Sequence, residues 1–293
     1  MARFAPLAGT RYDLGQVDLN DVIAPPYDVV GPDDWAMLAA RSPYNSILVE
    51  APRAEGHADP YALAAQRWRT WHDEGVVRRE DNPAFYLYRM SYRHEDGTVH
   101  STVGVVGALG LDREHRGDVL PHEETIQKDR SDRLSLLRAA RTNFSPIWGL
   151  SLCAGLGELC RKTASAVSPG AVATDEDGVL HECFVVTTEA LLEEVVQLVA
   201  SAPVLIADGH HRYETALEYA DETTLSAGAD AILAFVAELS EGELDVQAIH
   251  RLLSSTDVDQ LREALAASFE MEPTDREDLS LGEEMASTGS LGL

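Results

Sequence analysis

A compact apolar run, Pro203-Val204-Leu205-Ile206-Ala207, passes without a linker into Asp208-Gly209 and then into the helical pattern of residues 210–220. Such a short run bounded by proline and glycine fits a buried strand better than a helix, and the glycine lets the chain turn at once into the helical segment. A strand, a glycine turn and a helix in direct succession is a building unit of α/β proteins. The chain is therefore expected to be α/β, of the α+β kind, with a mixed sheet and flanking helices.

The same reading extends along the chain. Residues 84–92 and 99–111 are rich in Tyr, Val and Thr on either side of His94-Glu95-Asp96-Gly97, the pattern of a β-hairpin. Further strands are expected at 45–50, 146–152, 180–186 and 231–239. Helices are expected from Asp59-Pro60 to about Gly75, with Trp68 and Trp71 on the apolar face, and at 131–141, 154–165, 188–200 and 258–269. Pro25-Pro26-Tyr27-Asp28 and Gly31-Pro32-Asp33-Asp34 predict a rigid loop that admits a cis proline, and Asn143 is the expected C-cap of the helix before it. Residues 1–255 are expected to form the α/β core, with room for two subdomains. Residues 256–293 read as an incomplete C-terminal region whose polar, glycine-dotted tail is poorly ordered.

Composition narrows the partners. With 50 acidic against 23 basic residues the net charge is −27, a field that repels nucleic acid and anionic membranes, so neither is expected as a partner. Cys153, Cys160 and Cys183 are odd in number and far from any CxxC spacing, which fits a reducing, cytoplasmic location. No apolar stretch has the length of a signal peptide or a membrane span. Oligomeric state is left open.

The chemistry concentrates in Asp208-Gly209-His210-His211-Arg212-Tyr213-Glu214. A glycine at the strand exit lets backbone amides at the helix start approach an anion. Arg212 can grip two phosphate oxygens in a fork, and a histidine can donate to a third or act as acid or base near neutral pH. The plainer reading is that Asp208 caps the helix, one histidine is a buried hydrogen-bonder and Arg212 pairs with carboxylates. Adjacent histidines point to different faces, so at least one is expected to be structural.

A second cluster, Leu120-Pro121-His122-Glu123-Glu124-Thr125, precedes Lys128-Asp129-Arg130-Ser131-Asp132-Arg133. It can place a carboxylate to take a proton from a hydroxyl or hold Mg²⁺ against phosphates, with Lys128 neutralising charge. It can equally be a solvated, helix-capping charge run. His250-Arg251 adds another imidazole and guanidinium. His122, Glu123, Asp208, His210, His211 and His250 are suitable metal-ligand types, but no HxxxH or HExxH spacing joins them, and the metal ligands stay unassigned. GxGxxG, GxxxxGK[ST] and GxSxG are absent.

With Pro25-Pro26-Tyr27-Asp28, Pro121-His122-Glu123, Asp132-Arg133-Leu134, residues 143–147, Asp208 through Tyr213 and His250-Arg251 in that order, the chain resembles the bacterial and archaeal family known as domain of unknown function 1015. The resemblance covers roughly residues 3–270 and assigns no settled activity. Members usually continue well beyond the equivalent of Phe269, so the resemblance implies a shortened C-terminal subdomain. More loosely, the turn at 208–212 is similar to that of the ParB and sulfiredoxin superfamily, which includes free-serine kinases that hold nucleotide phosphates at such a helix start.

The resulting expectation is a small-molecule phosphotransferase or nucleotide hydrolase using ATP or ADP with Mg²⁺. Asp208, Gly209, His210, His211, Arg212, His250 and Arg251 would bind the phosphorylated ligand; Glu123 would serve as base, and His122, Lys128 and His210 would assist. The alternatives are a non-catalytic nucleotide- or metabolite-binding regulator and a metal-dependent hydrolase.

Overall fold

Among the described residues, the apolar runs gather in one mixed sheet with the helices laid against it and in a second, smaller core. The computed structural model describes residues 1–94, 97–123, 127–223, 228–240 and 257–270, with backbone alone at 127–130. In chain order the elements are β1 (Phe4–Ala5), β2 (Thr10–Tyr12), α1 (Leu19–Val22), α2 (Pro32–Arg41), α3 (Ile47–Glu50), α4 (Pro60–Asp73), β3 (Val77–Arg79), β4 (Phe85–Arg93), β5 (Val99–Gly110) and β6 (Val119–Leu120). They continue as α5 (Gln127–Ala140), β7 (Ile147–Ser151), α6 (Leu156–Ala166), β8 (Ala171–Thr174), β9 (Leu180–Val186), α7 (Glu189–Ala200), β10 (Val204–Asp208), α8 (His210–Glu222), β11 (Ala231–Glu238) and α9 (Val258–Ala266). The chain divides into two units, 1–244 and 245–293. Of the second, α9 is described, with the Asp257 carboxylate accepting from the Asp259 and Gln260 amides at its start.

The main sheet runs β6-β10-β7-β11-β5-β4-β9-β8, and β1 pairs with the far end of β5. β10 is parallel to β6 and β11 is parallel to β7, while the other neighbours are antiparallel. Alternation along each strand separates two faces. Val204, Ile206, Ile147 and Val236 turn to the face packed with Leu156, Cys160, Val195, Val199, Tyr213 and Ala216 of α6, α7 and α8. Leu205, Ala207, Trp148, Phe235 and Tyr88 turn to the other. Burying each of the larger side chains stabilises the fold by about 1.5–3 kcal/mol. A second core, around Trp71, Ile47, Val49 and Leu38, unites α2, α3 and α4 with the β2–β3 ribbon. No described helix is long and apolar enough to cross a membrane.

The structure is the mixed α/β sheet with flanking helices that the patterning predicts, with local corrections. Residues 45–50 form no strand: Asn45 accepts from the Ile47 amide at 3.0 Å and its Nδ2 donates to the Asp21 and Ile23 carbonyls, and the buried run coils into α3. A short run buried on all sides has no periodicity to distinguish strand from helix. Gly31-Pro32-Asp33-Asp34 opens α2, with Pro32 in its first turn and the Asp34 carboxylate accepting from the Gly31 amide. All described peptide bonds are trans, those of Pro25 and Pro26 included. The helix before Asn143 ends instead at Ala140, and Arg141 just beyond it adopts φ 52° and donates its amide to the Leu137 carbonyl. The predicted tail falls outside the described residues.

Candidate functional site

Two strands deliver the two polar clusters to one place. β6 and β10 run parallel, with Val119 opposite Val204 and Leu120 opposite Leu205, so Pro121-His122-Glu123 and Asp208-Gly209-His210 leave the sheet at the same end. The exit of β10 depends on Gly209, whose φ of 91° lies in the left-handed region. A Cβ there would stand 2.7 Å from Ile147 Cγ2 and 3.1 Å from Arg212 Nη2. Gly209 is the N-cap of α8 and supplies no side-chain acceptor, so the first-turn amides carry no side-chain cap. Asp208 does not cap the helix; it pairs with Arg212, Nη2 donating to Oδ2 at 2.7 Å. α8 is pinned from its other side, where the Tyr213 hydroxyl accepts from the Asp112 amide at 2.9 Å. Burial works to raise the Asp112 pKa, but amide hydrogen bonds from Arg116, Asp118 and Gly117 outweigh it and hold the carboxyl below its usual range.

His210 is the buried hydrogen-bonder of the adjacent pair, only 4 % exposed. Its Nε2 accepts from the His122 amide at 3.4 Å across 88 residues of sequence, and its Nδ1 lies 3.5 Å from Glu123 Oε2. With Nε2 accepting, a neutral ring carries its proton on Nδ1, directed at Glu123. The two imidazoles meet edge to face, centroids 4.6 Å apart. Burial and the neighbouring His122 depress the His210 pKa below its ordinary 6.5, against the pull of Glu123 and Asp208.

That direction makes stability depend on pH. The folded protein resists a proton that the unfolded chain accepts from about pH 6.5 downward. The contribution is therefore complete above that pH and is lost as pH falls through 6.5 toward the folded value. Thermal melting between pH 7.5 and roughly pH 5 is expected to show a steeper acid loss in the wild type than in His210→Gln; equal slopes would contradict it.

Arg212 is held from within. Its Nη1 donates to Ser145 Oγ at 2.9 Å and to the Pro146 carbonyl at 2.5 Å, and Ser145 donates to Glu50 Oε1 at 2.6 Å. Arg133, 7 % exposed, donates to the Glu50 carbonyl at 2.7 Å, pairs with Asp132 and lies 4.0 Å over the Tyr27 ring. The Arg212 guanidinium stands 6.0 Å from that ring. Burial raises the Tyr27 pKa in spite of the two arginines. One buried donor here has no hydrogen-bond partner, Arg212 Nε.

The structure thus brings His122, Glu123, Asp208, Gly209, His210 and Arg212 to one end of the sheet, with the half-buried His211 on the first turn of α8. Lys128 lies on the first turn of α5, its side chain outside the description, and His250 and Arg251 fall outside the described residues. Glu50 joins the site without a sequence signal: it ends an apolar run, and nothing in its neighbours marks a charge network; Ser145 lies in the 143–147 stretch already singled out by the resemblance. Among the described residues no three His, Cys, Asp or Glu side chains gather as a metal-holding group.

A model of the family described as protein of unknown function (DUF1015) matches residues 4–289, nearly the whole chain. No curated protein and no solved structure matches.

Proposed function

We propose that this chain, which belongs to the DUF1015 family, binds a phosphorylated small molecule at the β10–α8 turn and acts as a nucleotide-dependent phosphotransferase or nucleotide hydrolase. The observation that carries the reading is the approach of His122 and Glu123 to His210 at the start of a helix capped by a left-handed glycine. A helix start presents amide donors and the positive end of the helix dipole to an anion. Beside it, the 69 % exposed Glu123 is open to an acceptor hydroxyl and suited to take its proton.

In this reading Gly209, His210, His211 and Arg212 hold phosphate oxygens, and Glu123 is the base. His122 orients His210 through its amide; Lys128 assists, and His250 and Arg251 are assigned to the phosphate side on sequence grounds. The similarity of the turn to that of ParB and sulfiredoxin-like serine kinases favours ATP or ADP as the ligand. Mg²⁺ would take its protein oxygen from the exposed Asp208 carboxylate and neutralise phosphate charge. The chain's own contribution is then positioning and charge stabilisation around the transferred group.

Titration calorimetry with ATP, ADP and CTP, with and without Mg²⁺, is the test. Saturable heat from at least one nucleotide is expected, and none from any of them would remove the proposal. Glu123→Gln is expected to keep that binding while lowering turnover by about 10²–10⁴-fold; a purely regulatory binder would lose neither binding nor function.

A further inference from the structure

Arg212 has an inner and an outer edge, and only the inner one is fully matched. Nη1 serves two fixed internal acceptors, Ser145 Oγ and the Pro146 carbonyl. On the outer edge Nη2 meets Asp208 Oδ2, while Nε, which points the same way as one Nη2 proton, is buried without an acceptor. Nε and Nη2 together form the parallel pair of donors that a phosphate or carboxylate engages with two oxygens. Asp208 engages one of the two. Its side chain is 55 % exposed, so it can swing into water at little cost. An unmatched buried donor is destabilising and calls for an explanation.

We infer that the Asp208 carboxylate is an internal stand-in for the ligand's oxyanion: it occupies the outer edge of Arg212 in the free protein and is displaced when a phosphate group binds that edge through Nε and Nη2. The inference rests on the phosphate-binding reading and adds a built-in competitor that sets its affinity. It also explains why an acidic residue stands in an anion site: a loose, one-point contact holds the guanidinium in place and yields to a group that satisfies both donors.

The probes are inorganic phosphate and pyrophosphate without metal, titrated calorimetrically into the wild type and Asp208→Asn. Removing the competing charge is expected to tighten binding by about 2- to 5-fold in D208N, with thermal stability little changed because the Asp208 side chain is 55 % exposed and Arg212 keeps its Ser145 and Pro146 acceptors. Binding by the wild type that is unchanged or weaker in D208N overturns the stand-in while leaving the phosphate site. If neither the wild type nor D208N binds either anion, the phosphate-binding reading fails along with the inference.

Discussion

Replacing Gly209 by alanine is expected to destabilise the protein by about 2–5 kcal/mol, read as a lowered denaturation midpoint. Two costs combine. A left-handed residue with a Cβ loses about 1–2 kcal/mol relative to glycine, and Gly209 sits at φ 91°. The added methyl would also stand 2.7 Å from Ile147 Cγ2 and 3.0 Å from its Cβ, in the wall of the main core. Overpacking of that kind costs about 1–3 kcal/mol. Relief requires either Ile147 or the start of α8 to shift, and a shifted helix start carries His210 and Arg212 with it. G209A is therefore expected to lose ligand binding at temperatures where it remains folded. A variant with wild-type stability would show that the turn has another conformation available to it.

Arg133→Met is expected to cost about 3–5 kcal/mol, the range for breaking a buried ion pair from one side. Arg133 is 7 % exposed and bonds the Glu50 carbonyl and Asp132, and its guanidinium covers the Tyr27 ring. Without it the Glu50 side chain, 11 % exposed, keeps the Ser145 hydroxyl but loses its nearby cation. Glu50→Gln is expected to be milder, about 1–2 kcal/mol. Arg133 then keeps its carbonyl and Asp132 partners, and the amide still reaches Ser145. Urea midpoints of the two variants check the order. A smaller loss in R133M than in E50Q would mean that the buried arginine is not what holds this corner together.

Arg133 and Gly209 illustrate what is and is not legible in the chain. The strand, glycine and helix at 203–220 form as their sequence predicts, because a short apolar run, a glycine and a helical pattern carry local signals that tertiary contacts have no reason to override. The hairpin of β4 and β5 is equally local, its register running from Tyr86 opposite Val106 to Arg93 opposite Val99. The run at 45–50 departs from its strand pattern because Ile47-Leu48-Val49-Glu50 is covered all round, and the deciding contacts come from Asn45 to residues two dozen positions earlier. Gly31-Pro32 carries the signal of a turn yet opens a helix, because the same residues that break a chain also start one.

Of the candidate site, the residue types are legible and their meeting is not. His122 reaches His210 because β6 lies parallel to β10, a pairing of two residues that no periodicity announces. Arg212 reaches Ser145 and Pro146 because β7 runs antiparallel to β10 and begins where β10 ends. The anchoring of Arg212 is stronger than its motif suggests: Nη1 is taken up by Ser145 and Pro146, where the sequence alone implies the whole fork.

The most direct test of a phosphate site at this turn is nuclear magnetic resonance of the ¹⁵N-labelled protein during titration with ATP and Mg²⁺. With phosphate held there, the backbone amides of Gly209, His210 and His211 and the Arg212 Nε–H are expected to move first and saturate together. Saturating nucleotide that leaves those four signals in place, or that moves only resonances elsewhere in the chain, would contradict it.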